Sequence, residues 1–300
     1  MRVAVTGASG LIGHALVARL RQDAHQVVRL VRGPAASADE RAWDPTRELD
    51  PAALAGMEAV VNLSGANLAE GRWTERRKQE LRDSRIGPTR VLAQALARMS
   101  TPPRVLVSSS AVGYYGDRGD APLSEASGAG DGFLARLCVD WEEATAPAEA
   151  AGVRVVRIRS GVALSGAGGA LVKMLTPFKA GVGGVLGPGR QYMSWISLDD
   201  LVAAITHVLA DDSLRGPVNT VAPSPVTNRE FTRTLGRVLN RPAVAPVPAL
   251  ALRLLFGEMA EATLLASTRV IPQRLLGARF QFAFPDLESA LRRAVGRPPL

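Results

Sequence analysis

Residues 6–13 read TGASGLIG, with three glycines spaced three residues apart. An apolar run precedes it, and an amphipathic helical pattern follows it. Gly7 permits a tight turn, Gly10 lets the backbone approach a pyrophosphate, and Gly13 lets the helix pack closely on the strand. The N–H groups at the start of the helix then face the anion. The stretch therefore predicts a cradle for the phosphates of a dinucleotide.

Strand-like apolar runs alternate with helical patterns along the chain. The runs lie at 3–5, 27–31, 59–63, 104–107 and 153–158. Such alternation is typical of a parallel, doubly wound sheet. Further runs lie at 195–196 and 218–221, and a helical pattern over 199–209 separates them. They indicate that the second half of the chain completes the sheet. The predicted fold class is α/β: a Rossmann-type doubly wound parallel sheet with a small, mostly helical substrate-side domain.

The second half also predicts a smaller unit. Glycine and proline become dense from 161 to 189, and Thr227 or Asn228 can cap a helix that reaches about residue 239. Apolar periodicity returns at 250–256, 262–270 and 287–295. The sequence predicts a nucleotide-binding unit made of 1–162 with 196–222, and a substrate-side unit made of 163–195 with 223–300.

Composition excludes several classes of protein. The chain of 300 residues is 47% hydrophobic, which suffices for a sizeable core. A strand-like run begins at residue 2, and no apolar stretch reaches about 18 residues, so we expect a cytoplasmic protein without a membrane partner. The single cysteine, Cys138, excludes an internal disulfide, and the three histidines are scattered, so no metal site is predicted.

The net charge of +8 is the one feature that could indicate nucleic acid. Arginine supplies 33 of the 36 basic residues, however, and acidic residues are interspersed among them. This mixture is typical of a solvated surface, so we expect no specific nucleic-acid partner.

Arg32 follows the second strand-like run, where an NAD-selective unit places an acidic residue on the adenosine ribose. A guanidinium at this point can make charge-assisted bonds to a 2′-phosphate, each worth about 1.5 to 3 kcal/mol. The sequence therefore favours NADP(H) as cofactor, with NAD(H) as the weaker candidate. An exposed arginine without a ligand is the alternative interpretation.

The GxxGxxG spacing resembles that of the extended short-chain dehydrogenase/reductase superfamily. Further blocks similar to that superfamily lie at 62–65, 108–110, 115–117, 187–191 and 195–200. The chain also resembles an atypical branch, the epimerase family proteins, which are NAD-dependent epimerase/dehydratase-like with a C-terminal domain of unknown function. The blocks similar to this branch lie at 43–45, 62–67, 71–73, 84–86, 111–116, 137–142, 181–184, 194–196 and 270–274.

The resemblance implies an NADP(H)-binding oxidoreductase or epimerase that acts on an unidentified small carbonyl or hydroxyl substrate. It is also compatible with a homodimer through helices around 75–98 and 132–146. With the glycine turn and Arg32, it implies a cofactor site made of several strand ends. The expected cofactor-binding residues are Thr6, Gly7, Ser9, Gly10, Leu11, Ile12, Gly13, Arg32, Asp44, Leu63, Ser64, Gly65, Arg85, Ser108 and Ser109.

Two of these residues have open alternatives. Arg85 falls where many extended members carry an asparagine near the nicotinamide, and a cation there can hold an acidic substrate. A surface arginine paired with Asp83 or another acid explains it equally well. Asp44 can reach the adenine edge, although an Asp-Pro pair also commonly opens a turn.

The superfamily's chemistry uses Ser or Thr with Tyr-x-x-x-Lys, because the i,i+4 spacing puts the phenol and the ammonium on one helix face. Counting back from Glu142, which resembles the glutamate four positions after the lysine, places Leu134 at the tyrosine position and Cys138 at the lysine position. Leucine cannot transfer a proton, and a thiol among apolar neighbours is expected to be a packed core group. The usual catalytic pair is therefore missing.

Three hydroxyls remain as catalytic candidates. Ser110 occupies the position whose hydroxyl contacts a substrate carbonyl in the superfamily, although a turn serine that binds local backbone is equally open. Tyr115 matches a Tyr-Gly loop position and can line the pocket, while Tyr114 is the additional phenol of this branch. A non-catalytic NADP(H)-binding or redox-sensing protein is the alternative function.

Met193 stands where nucleotide-sugar enzymes of the superfamily usually carry an arginine for a substrate phosphate. Methionine cannot neutralise a phosphate, so the resemblance favours a smaller or more apolar substrate. Gln191 and Trp195 are the other substrate-side candidates, for a polar and a stacking contact. For Trp195 a place in the core is the alternative.

Overall fold

The computed structural model describes residues 1–298. Its strands are β1 Arg2–Thr6, β2 Gln26–Val31, β3 Glu40–Ala42, β4 Ala59–Asn62, β5 Val105–Ala111, β6 Pro122–Leu123, β7 Arg154–Ser160, β8 Val162–Leu164, β9 Tyr192–Met193, β10 Trp195–Ser197, β11 Gly216–Thr220, β12 Val226–Thr227 and β13 Arg269–Val270. Its α-helices are α1 Leu11–Gln22, α2 Glu75–Asp83, α3 Ile86–Ala97, α4 Phe133–Glu143, α5 Ala146–Ala150, α6 Gly169–Lys179, α7 Leu198–Ala210, α8 Asn228–Leu239, α9 Ala249–Phe256, α10 Gln273–Gly277 and α11 Leu287–Ala294. Short 3-10 helices span Pro51–Leu54 and Val112–Tyr115, and a π-helix spans Ala260–Leu265.

Seven strands form one sheet in the order β11-β7-β5-β4-β1-β2-β3, and every neighbouring pair is parallel. Side chains of β1 alternate between the two faces: Val3 and Val5 pack with α1 and α7, and Ala4 packs with α3. Because helices cover both faces, the strands are apolar on both sides. The predicted Rossmann-type α/β class is confirmed.

The run at 195–196 does not join this sheet. It forms β10, which pairs in parallel with β8 as a separate two-stranded sheet. The chain leaves β7 at Gly161, where an added Cβ would lie 2.6 Å from the carbonyl oxygen of Ser194. This close crossing directs residues 162–164 towards β10, so of the two later runs only the one at 218–221 joins the large sheet, as β11.

A second apolar cluster lies among α6, α8, α11 and β10. Helix α8 begins with a capping box, in which Thr227 and Glu230 each bond the other's backbone N–H. The C-terminal segment also reaches the large sheet, because Leu275 and Phe280 pack in its core cluster. Helix α10 lies against β11, so this segment packs at the edge of the large sheet.

Among residues 1–298, no helix has the length and apolar character needed to cross a membrane. The same residues contain no group of three or more His, Cys, Asp or Glu side chains arranged to hold a metal ion.

Candidate functional site

The glycine turn connects β1 to α1. Gly7 has a φ of +65°, and an added Cβ there would lie 2.5 Å from the carbonyl oxygen of Leu63. At Gly13, an added Cβ would lie 2.2 Å from the carbonyl oxygen of Gly7, so strand and helix meet without room for a side chain. Gly10 caps α1 without any side-chain hydrogen bond. The first N–H groups of α1 therefore receive no acceptor from a capping side chain, and Ser9 beside them is exposed.

A buried polar network joins the ends of β1, β4 and β5. The Thr6 hydroxyl donates to Asn62 Oδ1 at 2.7 Å, and the Ser64 hydroxyl donates to Thr6 Oγ1 at 2.9 Å. Asn62 Nδ2 donates to Thr89 Oγ1 at 2.8 Å and to Ser108 Oγ at 3.3 Å. The structure thus brings several expected cofactor residues to one edge of the sheet, held there by Asn62, which the sequence analysis did not single out.

Arg32 lies directly after β2 and is exposed, and no carboxylate within residues 1–298 pairs with it. The nearby acids Asp39 and Glu40 pair with Arg29 instead. Asp44 is also exposed, but its carboxylate accepts hydrogen bonds from the Thr46 side chain and backbone at 2.6 and 2.9 Å, and these lower its pKa. Arg32 is therefore free to meet a ligand, whereas Asp44 is engaged in its own turn.

Arg85 is 6% exposed and forms no ion pair among the described residues. Its guanidinium donates to the carbonyl oxygens of Ala66 at 2.8 Å and Leu81 at 3.2 Å, and burial lowers its pKa to about 10. An added Cβ at Gly65 would lie 3.3 Å from the guanidinium carbon. Asp83 instead accepts from Gln79, so the guanidinium remains a buried cation beside the turn that follows β4.

The hydroxyls of Ser110 and Tyr115 are held inside the protein. Ser110 donates to Glu142 Oε1 at 2.6 Å, and Arg159 donates to both Glu142 oxygens at 2.8 Å. Arg159 also donates to the Tyr115 hydroxyl at 3.0 Å, which donates to Asn219 Oδ1 at 2.7 Å. Tyr115 is completely buried, and burial raises its pKa. These groups form one buried network that we call the Glu142–Arg159 network.

Tyr114 is the remaining phenol. Its ring stacks on the Arg159 guanidinium, whose central carbon lies 3.4 Å from the ring centroid. The side chain is half-buried, and its hydroxyl bonds to no group within residues 1–298. Of the three hydroxyl candidates, only Tyr114 has an O–H that is not already donated inside the protein.

Leu134 and Cys138 occupy the positions of the missing pair on α4. Leu134 packs on the backbone of Gly113, since an added Cβ there would lie 2.5 Å from Leu134 Cγ. Cys138 is buried, and burial raises its pKa to about 12. Neither side chain can transfer a proton near neutral pH.

The three substrate-side candidates lie on or beside β9 and β10. Trp195 is completely buried in the small unit's core, and its indole N–H has no partner among residues 1–298. Gln191 is also buried, with its amide nitrogen on the carbonyl oxygens of Leu186 and Leu264 and its amide oxygen unpartnered. Met193 is half-buried. The structure therefore gives Trp195 a core position and leaves only Met193 with appreciable exposure.

Arg159 and Asn219 are functional-site neighbours that the sequence analysis missed. Arg159 belongs to β7, RVVRIRS, whose apolar positions are buried. The sequence could have pointed to Arg159 through its charge within an otherwise apolar strand. A buried charge requires a partner of opposite charge.

The chain is similar to known proteins over nearly its whole length. Residues 3–220 match the model of the NAD dependent epimerase/dehydratase family, and residues 247–294 match a domain of unknown function, DUF1731. An epimerase family protein of Mycobacterium bovis is 50% identical over 99% of this chain and 98% of its own length.

Two solved structures are similar over the whole chain. Human epimerase family protein SDR39U1, crystallised with NADPH, has a TM-score of 0.90 and 36% identity, covering 99% of this chain and 100% of that one. A nucleoside-diphosphate sugar epimerase from Corynebacterium glutamicum has a TM-score of 0.82 and 39% identity, covering 99% of this chain and 58% of that one. The chain belongs to the NAD dependent epimerase/dehydratase family, in its branch of epimerase family proteins.

Proposed function

We propose that the protein binds NADP(H) and acts as an oxidoreductase or epimerase-like enzyme on a small carbonyl or hydroxyl compound. The observation that carries the proposal is the glycine turn combined with an unpaired Arg32 at the end of β2. The human relative that was crystallised with NADPH supports the same cofactor.

The residues present fit the cofactor. The turn leaves no space for a Cβ at Gly7 or Gly13, and the uncapped start of α1 offers N–H groups to a pyrophosphate. Arg32 would hold the 2′-phosphate. Arg85 would lie towards the nicotinamide side, because it is a buried cation without a carboxylate beside Gly65. The remaining expected contacts stay part of the proposal: Ser109 near the end of β5, and Leu11 and Ile12 in the first turn of α1.

The bound nicotinamide would supply a hydride to a carbonyl carbon or accept one from a hydroxyl-bearing carbon. The chain's own task is then to exchange a proton with the substrate oxygen. Ser110 and Tyr115 already donate their protons to Glu142 and Asn219. Tyr114 is therefore the proposed proton donor, with Arg159 positioning its ring.

A non-catalytic NADP(H)-binding or redox-sensing protein is the second candidate. It is favoured by Leu134 and Cys138, which leave the usual Tyr and Lys positions without a titrating group near pH 7. The glycine turn binds phosphates whether or not catalysis follows.

Two experiments test the proposals. Replacing Arg32 with Ala should weaken NADPH binding at least tenfold while leaving NADH binding unchanged, since only NADPH carries the 2′-phosphate. Replacing Arg19, an exposed arginine that pairs with Asp23, is the matched control. Equal effects on both cofactors would remove Arg32 from the site.

Turnover separates enzyme from sensor. The NADPH-loaded protein is mixed with a panel of aldehydes and ketones, and NADPH oxidation is followed by absorbance. Tyr114→Phe should abolish oxidation and keep NADPH binding, whereas Ser110→Ala should keep part of the rate. No oxidation with any carbonyl would favour the sensor.

A homodimer through α2, α3 and α4 is part of the proposal and is tested by sedimentation of the purified chain.

A further inference from the structure

Exposed apolar side chains are concentrated in one part of the protein. Among residues 1–298, eight large hydrophobic side chains are well exposed, and seven of them lie on α6, just after it, or in residues 244–256. In α9, Leu250, Leu254 and Leu255 are 64%, 67% and 63% exposed. Soluble proteins expose such side chains singly, whereas a concentration of them marks a binding surface.

This surface borders the mouth of the candidate site. The segment 66–73 follows the turn after β4, where the cofactor is expected. Lys173 of α6 donates to the carbonyl oxygen of Ala69 at 2.6 Å. On the other side, Arg72 donates to the carbonyl oxygen of Leu254 in α9 at 2.9 Å. The two helices that carry exposed apolar side chains therefore flank one loop of the site.

Apolar side chains continue from α9 into the site. Met259, shortly after α9, packs in one cluster with Trp73 and Leu137, and Leu134 borders that cluster. Leu134 itself stands at the position of the expected proton-donating tyrosine, against Gly113. The side chains between α9 and Leu134 are thus apolar, and Trp73, Leu137 and Met259 among them are buried.

We propose that α6 and α9 form an apolar vestibule, and that the substrate is a carbonyl compound with an extended apolar body. The proposal rests on the proposed function, because it names the substrate class of the same site. The half-buried Met193 fits it, since a thioether neutralises no phosphate. A second copy of the chain is expected to dock elsewhere, because the proposed homodimer forms through α2, α3 and α4 and leaves α6 and α9 uncovered.

Calorimetric titration with three ketones of increasing chain length tests the proposal. The probes are 2-hexanone, 2-octanone and 2-decanone, added to NADPH-loaded and to cofactor-free protein. Affinity should rise with each methylene, by at most about fourfold, which corresponds to complete burial of that group. Replacing both Leu254 and Leu255 with Ser should weaken 2-decanone binding about tenfold.

Leu276→Ser is the matched control, because Leu276 is the eighth exposed hydrophobic residue and lies on α10, outside this surface. It should leave all three affinities unchanged. Affinities that do not depend on chain length, or an equal loss in the control, would overturn the proposal. A concentration-dependent dimer abolished by the Leu254/Leu255 double replacement would assign the surface to a second copy and overturn it as well. Ketone binding without NADPH binding would refute the proposed function and leave the vestibule standing.

Discussion

Replacing Glu142 with Gln is expected to destabilise the protein by about 3 kcal/mol. The Glu142 carboxylate accepts two bonds from Arg159 and one from Ser110, and both Arg159 and Glu142 are buried. Glutamine keeps one acceptor oxygen and turns an NH₂ group towards the donors. The Arg159 guanidinium is then left buried without a counter-charge, which costs about 3 to 5 kcal/mol, and the partial solvation of Glu142 favours the lower end.

The control is a second ion pair whose arginine also lies on β7. Arg157 pairs with Glu149, whose side chain is 51% exposed, so water compensates when the pair is broken. Glu149→Gln should cost less than about 1 kcal/mol. Urea unfolding followed by circular dichroism measures both variants.

A double replacement separates the lost charge pair from lost packing. Glu142→Leu with Arg159→Met removes both charges and should recover most of the stability lost in Glu142→Gln, because no buried charge remains unpaired. Equal losses in Glu142→Gln and Glu149→Gln would show that the buried pair carries no special cost, as would a double variant less stable than Glu142→Gln.

Three further predictions concern the turn, a helix start and the buried thiol. Gly13→Ala should abolish NADPH binding measured by calorimetry, because the added Cβ would lie 2.2 Å from a backbone oxygen; retained affinity would contradict this. Thr227→Ala should lower the free energy of unfolding by about 1 kcal/mol through loss of the capping box, and Thr227→Ser should restore it. Burial raises the pKa of Cys138 from 9.0 to about 12, so the unfolded thiol ionises first and stability falls as pH rises between these values. From pH 8 to 10 the native chain should lose about 1.4 kcal/mol more than Cys138→Ala, and parallel pH curves would contradict the shift.

Much of the fold could be predicted because local signals agreed with it. The glycine turn, the alternation of strands and helices, and the capping residue of α8 each act over a few neighbouring residues. The pairing of β10 with β8 could not be predicted, because it depends on where the chain crosses itself at Gly161 and Ser194. That crossing is a tertiary contact without a local pattern.

The residue types of the candidate site could be predicted from the sequence, but their hydrogen-bond partners could not. Sequence identified Ser110 and Tyr115 as candidate hydroxyls, yet their partners come from other elements. Ser110 bonds to Glu142 of α4, and Tyr115 bonds to Arg159 of β7 and Asn219 of β11. Hydrogen-bond direction decides whether a hydroxyl is free to act, and only the folded arrangement determines it. Tyr114 and Tyr115 both contact Arg159, but the Tyr115 hydroxyl is bonded in the core, whereas the half-buried Tyr114 meets Arg159 with its ring face only.

We expect the glycine turn and Arg32 to select NADP(H) together. Its most direct test is the pair of dissociation constants for NADPH and NADH, measured on the unaltered protein by the fluorescence of the bound nicotinamide at one ionic strength. We predict that NADPH binds at least about tenfold more tightly, since a 2′-phosphate gains charge-assisted bonds from a guanidinium that pairs with no carboxylate within residues 1–298. Equal dissociation constants, or tighter binding of NADH, would contradict it.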